Sequence, residues 1–219
     1  IEKPKKVLVF TKTAGFRHDN IEEGVKVLTK LLKDENIGMF HTEDANVFLA
    51  DSLKNFDAVL FFSTTGTILD EEQKVAFQNF LKSGKGFMGI HAATDTEHDW
   101  PWYNNLVGAY FASHPAVQEA KIDVKNRKHL ATKHLPKVWM HKDEWYDFSN
   151  VKPDLKILMT LDEKSYKNGK MGDFHPIAWY QKYDGIKVFY TGLGHTKESF
   201  YEPNFQKQII GGLKYVLGY

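Results

Sequence analysis

The sequence predicts an α/β domain built on an open, doubly wound, mostly parallel sheet, and three observations carry that expectation. Short, nearly continuous apolar runs such as KVLVFT (6–11) and DAVLFFS (57–63) read as strands covered on both faces. Between them lie stretches whose apolar residues recur at helical spacing. Strand, helix and strand follow one another with connections of only a few residues, the rhythm of parallel crossovers.

Residues 6–11 give the first strand, and KTAGFRHDN after it reads as a loop. Asp19, with Glu22 three positions on, predicts a capping box for a helix carrying Ile21, Val25, Leu28, Leu31 and Leu32 and ending near 36–38. A weak strand at 39–42 and a strong one at 57–63 follow. Asp70 with Gln73 starts the next helix, which presents Ala76, Phe77, Phe80 and Leu81 and stops at Gly84. GFMGIH (86–91) is the fourth strand. Beyond residue 95 the rhythm weakens: a short helix is expected over 100–110, an alternating strand at 117–124 and further strands at 155–161, 176–181 and 187–191. The final helix starts at Pro203 and carries Phe205, Ile209 and Leu213. No repeat or linker interrupts the chain, so residues 1–219 read as one domain.

Composition narrows the function classes. The 219 residues include 29 basic and 28 acidic side chains, a net charge of +1, so no strong field draws nucleic acid or an anionic membrane. No apolar run approaches the roughly 18 residues of a membrane helix. The absence of cysteine excludes disulfides, thiolate metal sites and a cysteine nucleophile. A start at Ile1 rather than Met points to removal of an upstream segment, by leader processing and export to the periplasm or simply by choice of boundary in a cytoplasmic protein. A homo-oligomer is open on this evidence.

In an open parallel sheet, ligands bind outside the carboxyl ends of the strands. Four segments deliver polar groups there: Arg17 and His18 after the first strand, Thr64 and Thr65 after the third, His91, Thr94 and Asp95 after the fourth, and His195 after the last. His41, His98, His129 and His134 read as ordinary surface or core histidines. His91, His195 and, less clearly, His18 stand out, because imidazoles gathered from separate strands can serve as acid, base or metal ligand near neutral pH. GIHAA (89–93) has the outline of a strand-to-helix elbow, with Gly89, Ala92 and Ala93 as the small residues that a close turn needs and an imidazole where a nucleophile would stand. HKDEWYDF (141–148) gathers a histidine, carboxylates including Glu144, and aromatics including Trp145. It reads equally as a carbohydrate-holding cluster or as an exposed acidic turn with Trp145 and Tyr146 packed inward. Trp102, among acids and amides, and His175, before a proline at a strand start, are weaker candidates. Gly84, Gly86 and Gly89 match G-x-G-x-x-G only in letters, since they precede and enter a strand instead of following one.

Taken together, KTAGFRH, STTGTILD, GKGFMGIHAATDTEHDWPWY, SHPA, KDEWYDF, HPIAW and TGLGHTKES resemble the ThuA-like family, named for trehalose utilisation, over nearly the whole chain. The resemblance implies a flavodoxin-like fold related to class I glutamine amidotransferases. It aligns Gly89 to Ala93 with the amidotransferase G-x-C-x-G, His91 replacing the cysteine, and His195 with the amidotransferase histidine. The acid after it is Glu198, three residues on instead of two. The family is associated with catabolism of trehalose and related disaccharides, including keto-sugars. The expectation is therefore an enzyme acting on such a sugar by histidine acid/base or metal-assisted chemistry, with a divalent ion allowed by the histidine and carboxylate supply. His91, His195, Glu144 and Asp95 are the catalytic candidates, and His18, Arg17, Thr65, Trp102, Trp145 and His175 would hold the sugar. A non-catalytic sugar-binding or sensing module on the same scaffold is the competing expectation.

Overall fold

The computed structural model describes residues 2–219; the expectation about processing at Ile1 lies outside them. The strands are β1 (Lys6–Phe10), β2 (Gly38–Thr42), β3 (Ala58–Phe62), β4 (Gly86–Ile90), β5 (Tyr110–Ser113), β6 (Gln118–Val124), β7 (Val138–Asp143), β8 (Asp147–Ser149), β9 (Lys156–Asp162), β10 (Pro176–Tyr183) and β11 (Ile186–Thr191). The helices are α1 (Ile21–Asp34), α2 (Glu71–Lys82), α3 (Pro101–Val107) and α4 (Pro203–Leu217). Nine strands form one sheet in the order β2-β1-β3-β4-β11-β10-β9-β6-β7, and β5 pairs with β8 apart from it.

The sheet is mixed. Strands β2, β1, β3, β4 and β11 run parallel to one another, whereas β10, β9, β6 and β7 continue the sheet from β11 in antiparallel pairs. The parallel half is the part written as continuous apolar runs: every residue of β3 and β4 is buried. Successive side chains on a strand point to opposite faces, and both faces are covered. Phe61 packs on Phe77 of α2 and Tyr103 of α3, while Phe62 faces the other way onto Phe200. Gly86 has no room for a side chain, because a Cβ there would stand 2.1 Å from the Val216 carbonyl oxygen of α4. Burial of each such phenylalanine stabilises the fold by about 1.5–3 kcal/mol.

Three local expectations are corrected. Asp19 is not the cap of α1: Asn20 stands at that position, and its side chain does not cap either, because its Nδ2 donates to the Gly194 carbonyl at 2.6 Å. The short helix expected over 100–110 ends at Val107, where Gly108 adopts a left-handed conformation (φ 103°), and Tyr110 already belongs to β5. Residues 138–143 form β7, unanticipated as a strand. The Asp70–Gln73 capping box on α2 is present in full, with Gln73 N donating to Asp70 Oδ1 at 2.8 Å and Asp70 N to Gln73 Oε1 at 2.9 Å.

Candidate active site

The strand register explains how residues 101 and 104 positions apart come to touch. β4 and β11 are parallel neighbours with Ile90 beside Thr191, so the segments that leave them emerge side by side at one sheet edge. His91 is the first residue beyond β4. It is fully buried and adopts φ 53°, a left-handed conformation that costs a non-glycine residue about 1–3 kcal/mol. The surroundings hold it there: Tyr190 Oη donates to its carbonyl at 2.7 Å, and its Nδ1 lies 2.8 Å from the Gly192 carbonyl. Gly89 must be small beneath this turn, since a Cβ would meet that of Ala93 at 2.9 Å.

His195 reaches the same point from β11. Its Nδ1 lies 3.3 Å from His91 Nε2 and 3.2 Å from Glu144 Oε1, and His91 Nε2 is itself 3.3 Å from that oxygen. Glu144 arrives on the segment after β7, whose next residues turn inward so that the Tyr146 ring stacks 4.1 Å from His91. His18, from the loop after β1, places its ring 5.1 Å from both His91 and His195. One donor atom from each of His18, His91, Glu144 and His195 falls within 4.8 Å of the other three. His18 is 5% exposed, and its buried Nδ1 has no hydrogen-bond partner among the described residues.

A buried aspartate organises this edge. Asp143, wholly inaccessible, accepts hydrogen bonds from the backbone N–H groups of Gly194 (2.8 Å), His195 (3.0 Å), Thr196 (3.2 Å) and Glu144 (2.9 Å). It also accepts from Ser199 Oγ at 2.8 Å and faces His141 Nε2 at 3.3 Å. It thereby fixes the loop that carries His195 and the backbone of Glu144. Burial pushes its carboxyl upward, but His141, the His91 ring and these N–H donors outweigh that and hold it below the usual range.

The charges at the centre are set by opposing effects. For Glu144, desolvation raises the carboxyl, while the hydrogen bonds and charges of His195 and His91 lower it further than burial lifts it, so it stays ionised. His195 is pulled down by burial but raised overall by the Glu144 hydrogen bond and charge, with Asp143 and Asp19 adding to it. His18 is pushed down to about 3 by burial, then by His91 and His195, which leaves a neutral imidazole with a free lone pair at ordinary pH.

The structure brings His18, His91, Glu144 and His195 together; it does not bring the other candidates to that cluster. Thr65 is buried behind it and pins the His18 loop, its Oγ1 donating to the Phe16 carbonyl at 2.7 Å. The Asp95 carboxylate pairs with His98 at 2.7 Å. Arg17 is exposed and pairs with Glu43. Trp102 packs against Trp100 and Tyr183, and Trp145 is fully buried with its Nε1 donating to the Gln118 carbonyl at 2.8 Å. His175 belongs to a second buried group with Asp147 and Glu163. Asp143 and Glu144 are buried too, so HKDEWYDF is not an exposed acidic turn. Sequence reasoning missed His114, whose Nδ1 is 3.3 Å from Glu144 Oε2, and the organising role of Asp143. SHPA and HKDEWYDF contained them, but nothing in the spacing separated them from their neighbours.

A mixed sheet with a parallel helix-flanked core defines this molecule as a class I glutamine amidotransferase-like fold. Lacking cysteine, it is not a cysteine-dependent amidotransferase. Residues 6–216 match the family model described as ThuA, trehalose utilisation, and the chain belongs to that family. Among solved structures, a ThuA-like protein from Parabacteroides merdae is 22% identical with a TM-score of 0.82, covering 98% of this chain and 90% of its own. One from Bacteroides uniformis is 20% identical with a TM-score of 0.81, covering 99% and 93%. PurLQS from Thermotoga maritima is 11% identical with a TM-score of 0.59, covering 97% and 99%. At these identities the likeness is one of fold. No curated protein matches the chain by sequence.

Proposed function

We propose that the protein is an enzyme of carbohydrate catabolism that acts on a trehalose-like disaccharide or its keto derivative at the edge where β4 and β11 end. The observation that carries this reading is the contact of His91, His195 and one carboxylate oxygen of Glu144 at 3.2–3.3 Å. The family's trehalose-utilisation description supplies the substrate class. A ring carbonyl acidifies the adjacent C–H, and an ionised Glu144 or a neutral imidazole is a base of suitable strength for that proton. His195, raised by its carboxylate neighbour, is suited to return a proton to a departing oxygen. Phe16, exposed and with its ring 4.9 Å from His18, offers an apolar face for a sugar ring, and His114 offers a partly exposed polar group beside Glu144.

The test is incubation with a panel of disaccharides and their 3-keto forms, read by mass spectrometry, for the native chain and for His91→Ala. Turnover of at least one sugar, reduced about 10²- to 10⁴-fold in the variant, is the expected result. Near-normal turnover in the variant removes His91 from the chemistry, and no product from any sugar removes the enzyme reading.

A further inference from the structure

We propose that His18, His91, Glu144 and His195 form the binding site of a single divalent transition-metal ion of the zinc class. The inference rests on the reading of this cluster as the reacting centre and assigns what it holds. Donors about 2.0–2.2 Å from a tetrahedral ion lie about 3.3–3.6 Å from one another. His91 Nε2, His195 Nδ1 and Glu144 Oε1 form a triangle with edges of 3.3, 3.2 and 3.3 Å, the dimensions of one face of such a tetrahedron. His18 supplies a fourth donor within 4.8 Å of all three.

Hydrogen-bond accounting favours an ion over direct bonds among these groups. The Gly192 carbonyl can only accept, so Nδ1 of His91, 2.8 Å away, carries its hydrogen. With that hydrogen on Nδ1, Nε2 is the atom free to coordinate, and it faces Glu144 Oε1 and His195 Nδ1, each at 3.3 Å. An imidazole held through its other nitrogen by a backbone carbonyl is the usual state of a metal-ligating histidine. A proton on Nε2 would serve His91 and Glu144 but would do nothing for His18, which is nine-tenths buried with an unpartnered Nδ1. Among the described residues Glu144 pairs only with histidines, His91, His114 and His195, and no lysine or arginine neutralises it. Nitrogen-rich donor sets select zinc and its transition-metal neighbours over magnesium and calcium, which prefer oxygen. His195 is the most exposed of the four, its side chain 23% accessible, so an ion would be reached from that side.

The experiment uses the whole chain, stripped with a chelator and titrated with zinc chloride. One zinc per chain should be retained through gel filtration, and free zinc at about 100 times Kd should raise the unfolding midpoint by about 5–10 °C. His18→Ala and His195→Gln should each weaken zinc binding by more than about 100-fold, whereas Glu163→Gln in the second histidine group should leave it unchanged. Circular dichroism of the metal-free variants checks that they fold, and partly exposed His195 is the safer of the two positions. Failure of the native chain to retain zinc, or equal affinity in His18→Ala, His195→Gln and the native protein, overturns the inference. Sugar turnover by a native chain that retains no zinc overturns it while sparing the enzyme reading. Zinc bound by these residues without turnover of any sugar upholds it and removes that reading instead.

Discussion

Two buried groups in this molecule have the same ingredients and differ in whether every ring nitrogen finds a partner within the protein. In the group of Asp147, Glu163 and His175, every donor has a partner. His175 Nε2 lies 2.7 Å from the Tyr146 carbonyl, and its Nδ1 faces Glu163 Oε2 at 2.7 Å and Tyr166 Oη at 3.0 Å. Glu163 also accepts from Met171 N, and Asp147 from Lys170 N and Ser113 Oγ. At the ends of β4 and β11, by contrast, His18 leaves a buried nitrogen unpartnered. Residue types within reach of one another do not make a site. What separates a structural knot from a reacting centre is whether the protein itself satisfies the polar atoms.

The sharpest way to break that comparison is to make the same change in both groups. His91→Asn, chosen because asparagine tolerates the positive φ, should lower sugar turnover by about 10²-fold or more with a small change in unfolding midpoint. His175→Asn should do the reverse, losing about 2–4 kcal/mol of stability while turnover per folded molecule stays near native. Paired kinetic and thermal-unfolding measurements decide it, and a large kinetic loss in His175→Asn would erase the distinction. Next in size is Asp143→Asn, which leaves buried N–H groups facing an amide. Denaturant unfolding should show a loss of about 3–5 kcal/mol, and turnover should fall about 10- to 100-fold because the His195 loop loses its anchor. Glu163→Gln keeps most of its contacts and should cost only about 1–2 kcal/mol, without affecting turnover.

The smallest expected effect concerns a histidine outside both groups. His129, packed against Tyr180 and Tyr215, is lowered by burial from an ordinary 6.5 to about 4. Its neutral form is the one that folds, so its contribution to stability is complete above about pH 6.5 and is lost as the pH falls through about 4. Stability measured across that interval should fall less steeply in His129→Gln than in the native chain.

The parallel half of the sheet was legible because strands buried on both faces must be apolar throughout, and because Asp70 and Gln73 mark a helix start by local bonds alone. The antiparallel half was legible where alternation has the usual sense, as at 117–124. It failed at β7, where the alternation is inverted: Val138 and Met140 are exposed, while His141 and Asp143 are buried. That inversion is itself a consequence of the site, since the buried face of β7 serves the His195 loop. The cap expected at Asp19 failed for a related reason, since Asn20 takes that position and its side chain is engaged with Gly194 in place of α1. His18, His91 and His195 could be found because strand ends in a parallel sheet converge on one edge. Glu144 was legible only as one acid among several, because the path that brings it there runs through β7. Trp102 and Trp145 looked like sugar platforms, but Trp145 is fully buried and Trp102, half-buried, packs against Trp100 and Tyr183.

The bent backbone at residue 91 is held from below by Tyr190, Gly89 and Ala93, none of which depends on the imidazole it supports. The mount is therefore separable from the tool. A polypeptide with such a pedestal can exchange the one group displayed on it, and with that its reactivity, while the layers beneath remain as they were.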